Sequence, residues 1–167
     1  KFRPVPWSFG YNTYKKRYIE NVITKNIKYL NKNYGKGLDE RVVEIPAVFN
    51  YLKNKKNILD AGSALNHPEY LKYFEDKKIT IATLYPEDYR HPGAINYIYS
   101  DIRDLPIRSN YFDGIACIST LEHVGYDNSK YKGLNNNIAT ELESGDYIDA
   151  VNELKRVLTP GGNLVIT

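Results

Sequence analysis

Four short segments of the chain place acidic, small or hydroxyl-bearing residues directly after apolar runs. They are Asp60-Ala61-Gly62, Thr83-Leu84-Tyr85, Ser100-Asp101-Ile102 and Ile118-Ser119-Thr120. In an open parallel sheet, ligands bind beyond the carboxyl ends of the strands, at the point where the strand order reverses. A tight turn at Gly62 would let backbone N–H groups approach a ligand, because no side chain blocks them, and Asp60 would add a negative charge. The sequence therefore predicts a ligand site at the ends of four strands.

Helices are predicted for the first part of the chain, residues 1–56. One set of apolar residues recurs every three or four positions and so shares a helix face: Ile19, Ile23, Ile27 and Leu30. Asn12 or Thr13 is the expected cap of this helix. After a loop at residues 32–37, a second helix carries Ile45, Val48, Phe49 and Leu52. Pro46 is expected in its first turn, where a missing N–H costs little, and residues 39–44 are expected to form a separate turn.

Strands alternate with helices from residue 57 onwards. Strands are predicted at residues 58–59, 79–84, 95–99, 112–118 and 164–166. Asn66 is the expected cap of an intervening helix. A later helix has Ile148, Val151, Leu154 and Leu158 on its inner side and is expected to end at residues 159–162. The alternation predicts an α/β fold with a mainly parallel sheet covered by helices. The polar stretch at residues 125–145 is long for a loop, and such loops are usually functional.

The composition limits which classes of protein and which partners are expected. The chain has 167 residues, of which 42% are hydrophobic and 26% charged, as in ordinary soluble globular proteins. It has no apolar run of the ~18 residues that a membrane span needs. The single cysteine, Cys117, excludes an intrachain disulfide and favours a reducing, cytoplasmic location. The net charge of +3 is spread along the chain, so we do not expect nucleic acid as a partner. We expect no metal site.

Four segments together carry a resemblance to a known family. Residues 57–63, with the sequence NILDAGS, resemble motif I of the class I S-adenosylmethionine-dependent methyltransferases. Residues 100–106, 112–123 and 154–162 are similar to the acidic motif after the third strand, the fourth strand with its turn, and the turn into strand five. All four fall in the family's order and spacing. The resemblance implies a Rossmann-like core at residues 57–167, preceded by a helical extension at residues 1–56 and lacking the family's strands six and seven.

The resemblance also implies a cofactor, S-adenosylmethionine, and the residues that bind it. The turn at residues 60–62 would lie against the methionine and ribose, and Asp101 would accept a hydrogen bond from the adenine amino group. The Ile102 N–H would serve a ring nitrogen, while Ile118 and Ser119 would line the wall near the sulfonium. The expected cofactor-binding set is Asp60, Ala61, Gly62, Ser63, Thr83, Leu84, Asp101, Ile102, Ile118 and Ser119. As alternatives, Asp60 ties down its own turn and Asp101 caps a turn.

The sequence departs from the family pattern at two places, the turn after the first strand and the end of the second strand. Family members usually have glycines where this chain has Ala64 and Asn66. They also usually end the second strand with an acid that binds both ribose hydroxyls, and that position falls on the neutral Thr83. Two alternatives follow: the cofactor binds less tightly, or Tyr85 or Glu87 compensates for the missing charge.

The resemblance leaves the acceptor open. His123 is the first candidate for a general base, because it follows the fourth strand and histidine is a residue type suited to proton transfer at physiological pH. Glu122 is the second candidate. The alternative is that this pair only braces the wall of the site. Residues 37–46 resemble a segment of bacterial members linked with glycans or surface polymers. This similarity suggests a hydroxyl of a small molecule or sugar, with Arg41 and Glu44 facing the site or forming a surface ion pair. The loop at residues 125–145 is a candidate lid.

Two other functions compete with methyl transfer. A degenerate, non-catalytic cofactor-binding module is favoured by the neutral Thr83 and by the missing final strands. An NAD-dependent oxidoreductase needs the pattern Gly-x-Gly-x-x-Gly, which residues 62–67 lack. A strand five left at the edge of the sheet would invite pairing with another chain, so a homo-oligomer formed through that edge is a further expectation.

Overall fold

The structure is a computed structural model that describes residues 8–25, 30–87, 91, 93, 95–125 and 146–167. Helix α1 spans Phe9–Thr24, α2 Arg41–Leu52, α3 Pro68–Leu71 and α4 Asp146–Val157. The strands are β1 Asn57–Ala61, β2 Lys78–Thr83, β3 Asn96–Tyr99, β4 Phe112–Cys117 and β5 Leu158–Ile166. The chain divides into two compact units, Lys1–Lys53 and Asn54–Thr167.

Helix α1 begins four residues earlier than the sequence indicated. Ser8 is its cap, since its hydroxyl accepts the Tyr11 N–H at 3.2 Å, so the expectation of a cap at Asn12 or Thr13 is wrong. The buried face carries Tyr11, Lys15, Ile19 and Val22. Leu30 lies beyond the helix and is exposed, and Ile27 falls outside the described residues. An aromatic side chain and a paired lysine therefore complete a face that was predicted to be aliphatic.

Helix α2 contains Pro46 in its interior, not in its first turn as predicted. A proline lacks the N–H that would bind the carbonyl four residues earlier, here that of Val42. The Tyr34 hydroxyl lies 3.1 Å from the Val42 carbonyl oxygen and 3.0 Å from that of Tyr18. Because this hydroxyl supplies a donor where the helix has none, α2 can begin at Arg41, and residues 41–44 are helical.

The five strands of the second unit form one sheet in the order β3-β2-β1-β4-β5. Every neighbouring pair is parallel. The chain moves outward from β1 to β3 and then crosses back to β4, so the strand order reverses between β1 and β4. Helix α4 packs against this sheet, which confirms the predicted Rossmann-like α/β fold. Because the strands run the same way, their carboxyl ends all lie at one edge of the sheet.

The central strands are buried on both faces. Leu59, Ala61, Ile115 and Cys117 join the cluster that α4 covers with Ala150, Leu154 and Val157. Alternation turns Ile58 and Asp60 to the opposite face, where both are also buried. The α4 face differs from the prediction, since Ile148 is 49% exposed and Leu158 belongs to β5.

Strand β5 includes residues 159–162, which were expected to form a turn. Phe112 of β4 pairs with Leu158, but Gly114 pairs with Asn163, so the pairing shifts within residues 159–162. The Pro-Gly-Gly residues therefore form an irregularity inside the strand. Strand β5 is an outer strand of the sheet; its pairing with another chain stays a prediction. Among the described helices, none is long and apolar enough to cross a membrane.

Candidate ligand site at the carboxyl ends of the strands

Hydrogen bonds connect the tips of four strands at one edge of the sheet. The Gly62 N–H, just after β1, donates to the Ala82 carbonyl of β2 at 2.8 Å. The Ser100 N–H, just after β3, donates to the Thr83 carbonyl at 3.1 Å. The Thr120 hydroxyl, beyond β4, lies 3.2 Å from the Ala61 carbonyl oxygen. The four segments predicted to form a site are therefore held next to one another, on both sides of the strand-order reversal.

The turn after β1 has a backbone that disfavours ordinary side chains. Gly62 has a φ of +103° and Ser63 a φ of +68°. A Cβ at Gly62 would lie 2.0 Å from the Thr120 Oγ1 atom and 2.8 Å from its Cβ atom. The glycine is thus required by the close approach of Thr120 as well as by the turn. The sequence predicted a glycine whose open space serves a ligand, whereas in the structure a protein side chain occupies that space.

Asp60 lies beneath this turn and is fully buried. Its Oδ2 atom accepts the Leu65 N–H at 2.9 Å. This contact closes the loop that follows β1 and agrees with the alternative that Asp60 ties down its own turn. A direct role of Asp60 in binding a ligand stays a prediction.

A second carboxylate meets the same turn from the end of β2. The Glu87 Oε2 atom accepts hydrogen bonds from the Ser63 hydroxyl at 2.8 Å and from the Asn66 amide at 2.9 Å. The Asn66 Oδ1 atom in turn accepts the Tyr97 hydroxyl of β3 at 3.0 Å. Asn66 therefore links the loop after β1 to Glu87 and to Tyr97 of β3. It does not cap α3, whose first flanking residue is His67. Glu87 supplies a negative charge that Thr83 lacks.

Asp101, just after β3, is held by a guanidinium. Arg103 donates from Nε to Oδ1 at 3.0 Å and from NH2 to Oδ2 at 2.7 Å, and its backbone N–H also reaches Oδ1 at 2.9 Å. Burial raises the pKa of Asp101, but the hydrogen bonds and the charge of Arg103 together outweigh burial and lower it. The Asp101 side chain keeps 35% of its surface exposed. It is an ionised acceptor that a ligand can still reach.

The end of β4 turns sharply into a 3-10 helix. Ile118 is buried and Ser119 adopts a φ of +45°. The Leu121–His123 helix follows, and the His123 N–H donates to the Thr120 carbonyl at 3.0 Å. The side chains of the two candidate bases, Glu122 and His123, are exposed. Strained backbone at two hydroxyl residues, Ser63 and Ser119, is typical of functional sites.

Residues 62–166 match the family model described as a methyltransferase domain. The chain belongs to this family. The match confirms the predicted resemblance to class I methyltransferases and covers all four strand tips except Asp60 and Ala61. No curated protein matches the chain.

Solved structures share the fold of this methyltransferase domain. A Burkholderia thailandensis 1,6-didemethyltoxoflavin-N1-methyltransferase, solved with its substrate and S-adenosylhomocysteine, has a TM-score of 0.56 at 13% identity and matches 99% of this chain. The N-methyltransferase NodS from Bradyrhizobium japonicum, solved with S-adenosylhomocysteine, has a TM-score of 0.53 at 17% identity and matches 91%. The [4+2]-cyclase SpnF also has a TM-score of 0.53 at 17% identity and matches 93%.

The chain is shorter than these relatives. It spans 66% of the toxoflavin-pathway enzyme, 71% of NodS and 57% of SpnF. At such identities the likeness concerns the fold. The SpnF comparison also shows that this fold serves reactions other than methyl transfer, because its name is that of a cyclase.

The methyltransferase domain brings the predicted binding residues to one edge but gives them different surroundings. Asp101, Ser119 and Thr83 are partly exposed at this edge, and Leu84 is exposed beyond β2. The Ile102 side chain is buried in the core cluster, so its backbone alone could serve a ligand. The Ile118 side chain is likewise buried. Among the described residues, no group of three or more His, Cys, Asp or Glu side chains could hold a metal ion.

The sequence-based reasoning missed two side chains of the site. Thr120 braces Gly62, and Arg103 holds Asp101. An arginine two residues after the predicted adenine-binding acid was a usable signal for the second. For Thr120, the contact spans 58 positions of the chain to Gly62, and local sequence contained no indication of it. The candidate lid at residues 125–145 lies outside the described residues, apart from Gly125.

The cofactor that the family implies is S-adenosylmethionine, and the residues at this edge fit it. Asp101 is ionised, partly exposed and able to accept a hydrogen bond from an amino group. Glu87 places a second carboxylate beside the Ser63 turn, which suits a pair of sugar hydroxyls. The chemistry such a cofactor supplies is a methyl carbon activated by a sulfonium.

Proposed function

We propose that this chain is the cofactor-binding part of an S-adenosylmethionine-dependent methyltransferase that acts on a hydroxyl of a small molecule or sugar. The observation that carries the proposal is the convergence of Gly62, Asp101 and Ser119 at the edge where the strand order reverses, in a chain of the methyltransferase domain family. Parallel α/β sheets bind ligands at that point. Two proteins of the same fold were solved with S-adenosylhomocysteine.

The roles proposed for the site follow from charge and exposure. Asp101 accepts the adenine amino group, because it is ionised and accessible. Glu87 accepts the ribose hydroxyls in place of the neutral Thr83, since it already receives hydrogen bonds from Ser63 and Asn66. The backbone of Ser119 faces the sulfonium end.

For methyl transfer, the protein mainly has to align the methyl donor with the acceptor. Holding two reactants in line can lower a barrier by roughly 7–11 kcal/mol. A hydroxyl acceptor must also lose a proton, and we assign that step to His123, with Glu122 as the alternative. Both side chains are exposed on the turn that follows β4, so an acceptor in solution can reach them. Arg41 and Glu44 form an ion pair with each other within α2, which agrees with the alternative of an ion pair, and we assign them no contact with the acceptor.

Calorimetric titration of the chain with S-adenosylmethionine and, separately, with NAD tests the proposal. We expect the first to bind and the second not to. Asp101→Asn should weaken binding about 10- to 100-fold, because a hydrogen bond to a charged group contributes about 1.5–3 kcal/mol. Asp104→Asn is the matched control, since it removes the same charge from an exposed position of the same loop and should leave the affinity unchanged.

Two results would overturn the assignment, and a third would overturn the role of Asp101. Binding of NAD with no binding of S-adenosylmethionine would point to an oxidoreductase. Failure of the folded chain to bind either would favour a non-catalytic module. Equal losses in Asp101→Asn and Asp104→Asn would mean that net charge, and no specific contact, governs binding.

A further inference from the structure

We propose that Arg103 is a positioning residue that makes the site selective for adenine over hypoxanthine, by fixing Asp101 as a hydrogen-bond acceptor. The inference rests on the proposed function and names a residue that acts through Asp101. Arg103 itself need not touch the ligand.

Arg103 and Asp101 form a bidentate ion pair, in which the guanidinium acts as a fork. Two guanidinium nitrogens of Arg103 meet the two oxygens of Asp101 at 3.0 and 2.7 Å. Bidentate pairs of this kind fix the plane of the carboxylate as well as its position. The Oδ1 atom already accepts two hydrogen bonds from Arg103, through Nε and the backbone N–H. The Oδ2 atom accepts one from NH2 and can accept a second, so Asp101 retains acceptor capacity there.

Arg103 is itself anchored from another element. Its NH1 nitrogen donates to the Asp146 Oδ2 atom, at the first residue of α4, at 2.6 Å. Asp146 packs against Gly125, where a Cβ would lie 2.7 Å from the same Oδ2 atom. The guanidinium is therefore held between the loop after β3 and the start of α4, and its orientation toward Asp101 is restricted.

The charges around Asp101 explain why the arginine matters. Asp146 and Asp149 both contribute negative charge at Arg103, and together with Asp101 they raise its pKa. If the guanidinium is removed, Asp101 keeps its partial burial and gains uncompensated acidic neighbours. Both effects favour the protonated carboxyl. The pKa of Asp101, now lowered, should then rise.

A change in protonation would alter which base the site accepts. An ionised carboxylate only accepts hydrogen bonds, so it suits the amino group at position 6 of adenine. A protonated carboxyl can donate to the oxygen at position 6 of hypoxanthine. Arg103 thus favours adenine over hypoxanthine by keeping Asp101 ionised as pH falls.

The test measures the affinities of S-adenosylhomocysteine and S-inosylhomocysteine at pH 7.5 and pH 5.0. For the natural sequence, we expect adenine to be preferred about 5- to 100-fold at both pH values, because a carboxylate oxygen that faces the oxygen at position 6 of hypoxanthine has no hydrogen bond to it. In Arg103→Gln, the preference should fall at least about threefold between pH 7.5 and pH 5.0, as Asp101 takes up a proton. In Arg103→Lys, which keeps the charge, the preference should remain at both pH values.

Arg108→Gln is the control, because it removes one exposed positive charge from the same unit, where Arg108 lies over the Tyr111 ring. It should behave as the natural sequence. If Arg103→Gln keeps a pH-independent preference, or if Arg103→Lys loses it as Arg103→Gln does, the inference is wrong. Should Arg103→Gln fail to fold, the Arg103→Lys result decides alone. Absence of S-adenosylhomocysteine binding by the natural sequence would instead overturn the proposed function.

Discussion

Replacing Gly62 by alanine gives the sharpest test of how the site is built. The added Cβ would lie 2.0 Å from Oγ1, 2.5 Å from Cγ2 and 2.8 Å from Cβ of Thr120. These distances are far below van der Waals contact, so Thr120 must move. Its hydroxyl lies 3.2 Å from the Ala61 carbonyl oxygen and 2.9 Å from that of Ile118, and these contacts would be disturbed.

The magnitude follows from two separate costs. A non-glycine residue at a φ of +103° adds backbone strain of about 1–3 kcal/mol. Forcing a methyl group into a packed region costs about 1–3 kcal/mol more. We therefore expect Gly62→Ala to lower the free energy of unfolding by about 2–6 kcal/mol, measured by urea denaturation.

Gly161→Ala separates the two costs. Gly161 also has a positive φ, +75°, but a Cβ there meets nothing within 4 Å. This variant should lose only the strain, about 1–2 kcal/mol. In a Thr120→Ala background, the cost of Gly62→Ala should shrink by about 1–2 kcal/mol, because the two closest atoms are gone. Equal destabilisation by Gly62→Ala and Gly161→Ala, or strict additivity with Thr120→Ala, would refute the account of this turn.

Three further predictions concern the second unit. Asp113 accepts the backbone N–H groups of Lys56 and Asn57 at the start of β1, so Asp113→Ala should cost about 1–3 kcal/mol in urea denaturation. The Arg156 hydrogen bond lowers the pKa of Glu153 against the effect of burial. The stabilisation from this pair is present above the unfolded pKa of Glu153 and is lost as pH falls through the lower folded pKa. The difference in the free energy of unfolding between the natural sequence and Glu153→Gln should therefore shrink below about pH 4. Burial, followed by the charge of Asp60, raises the pKa of the Cys117 thiol to about 12, so thiol reagents at pH 8 should label the denatured chain and spare the native one; rapid native labelling would contradict this burial.

Local pattern was enough to predict the strands that carry the site. The runs that became β1 and β4 are apolar and bounded by polar residues, and both proved to be buried on two faces. Each predicted tip follows directly from where such a run ends. The chain order of strands and helices then fixed which ends share an edge, because parallel strands point the same way.

Contacts between distant residues explain where the prediction failed. Helix α2 runs through Pro46 because Tyr34 reaches the Val42 carbonyl oxygen, which periodicity cannot indicate. Helix α4 buries Ala150 and exposes Ile148, since a small side chain suits the close approach to the sheet. At the site, the close approach of Thr120 to Gly62 was missed for the same reason, whereas Arg103 lies only two residues after Asp101 and could have been recognised.

The central claim is that one adenosyl ligand binds where the tips of β1, β3 and β4 meet. Amide chemical shifts of the ¹⁵N-labelled chain, followed during titration with S-adenosylhomocysteine, test it most directly. We expect the largest changes in chemical shift at Gly62, Ile102 and Ser119. The three titration curves should give the same dissociation constant. Changes confined to one of these tips, or centred on another part of the chain, would contradict the account.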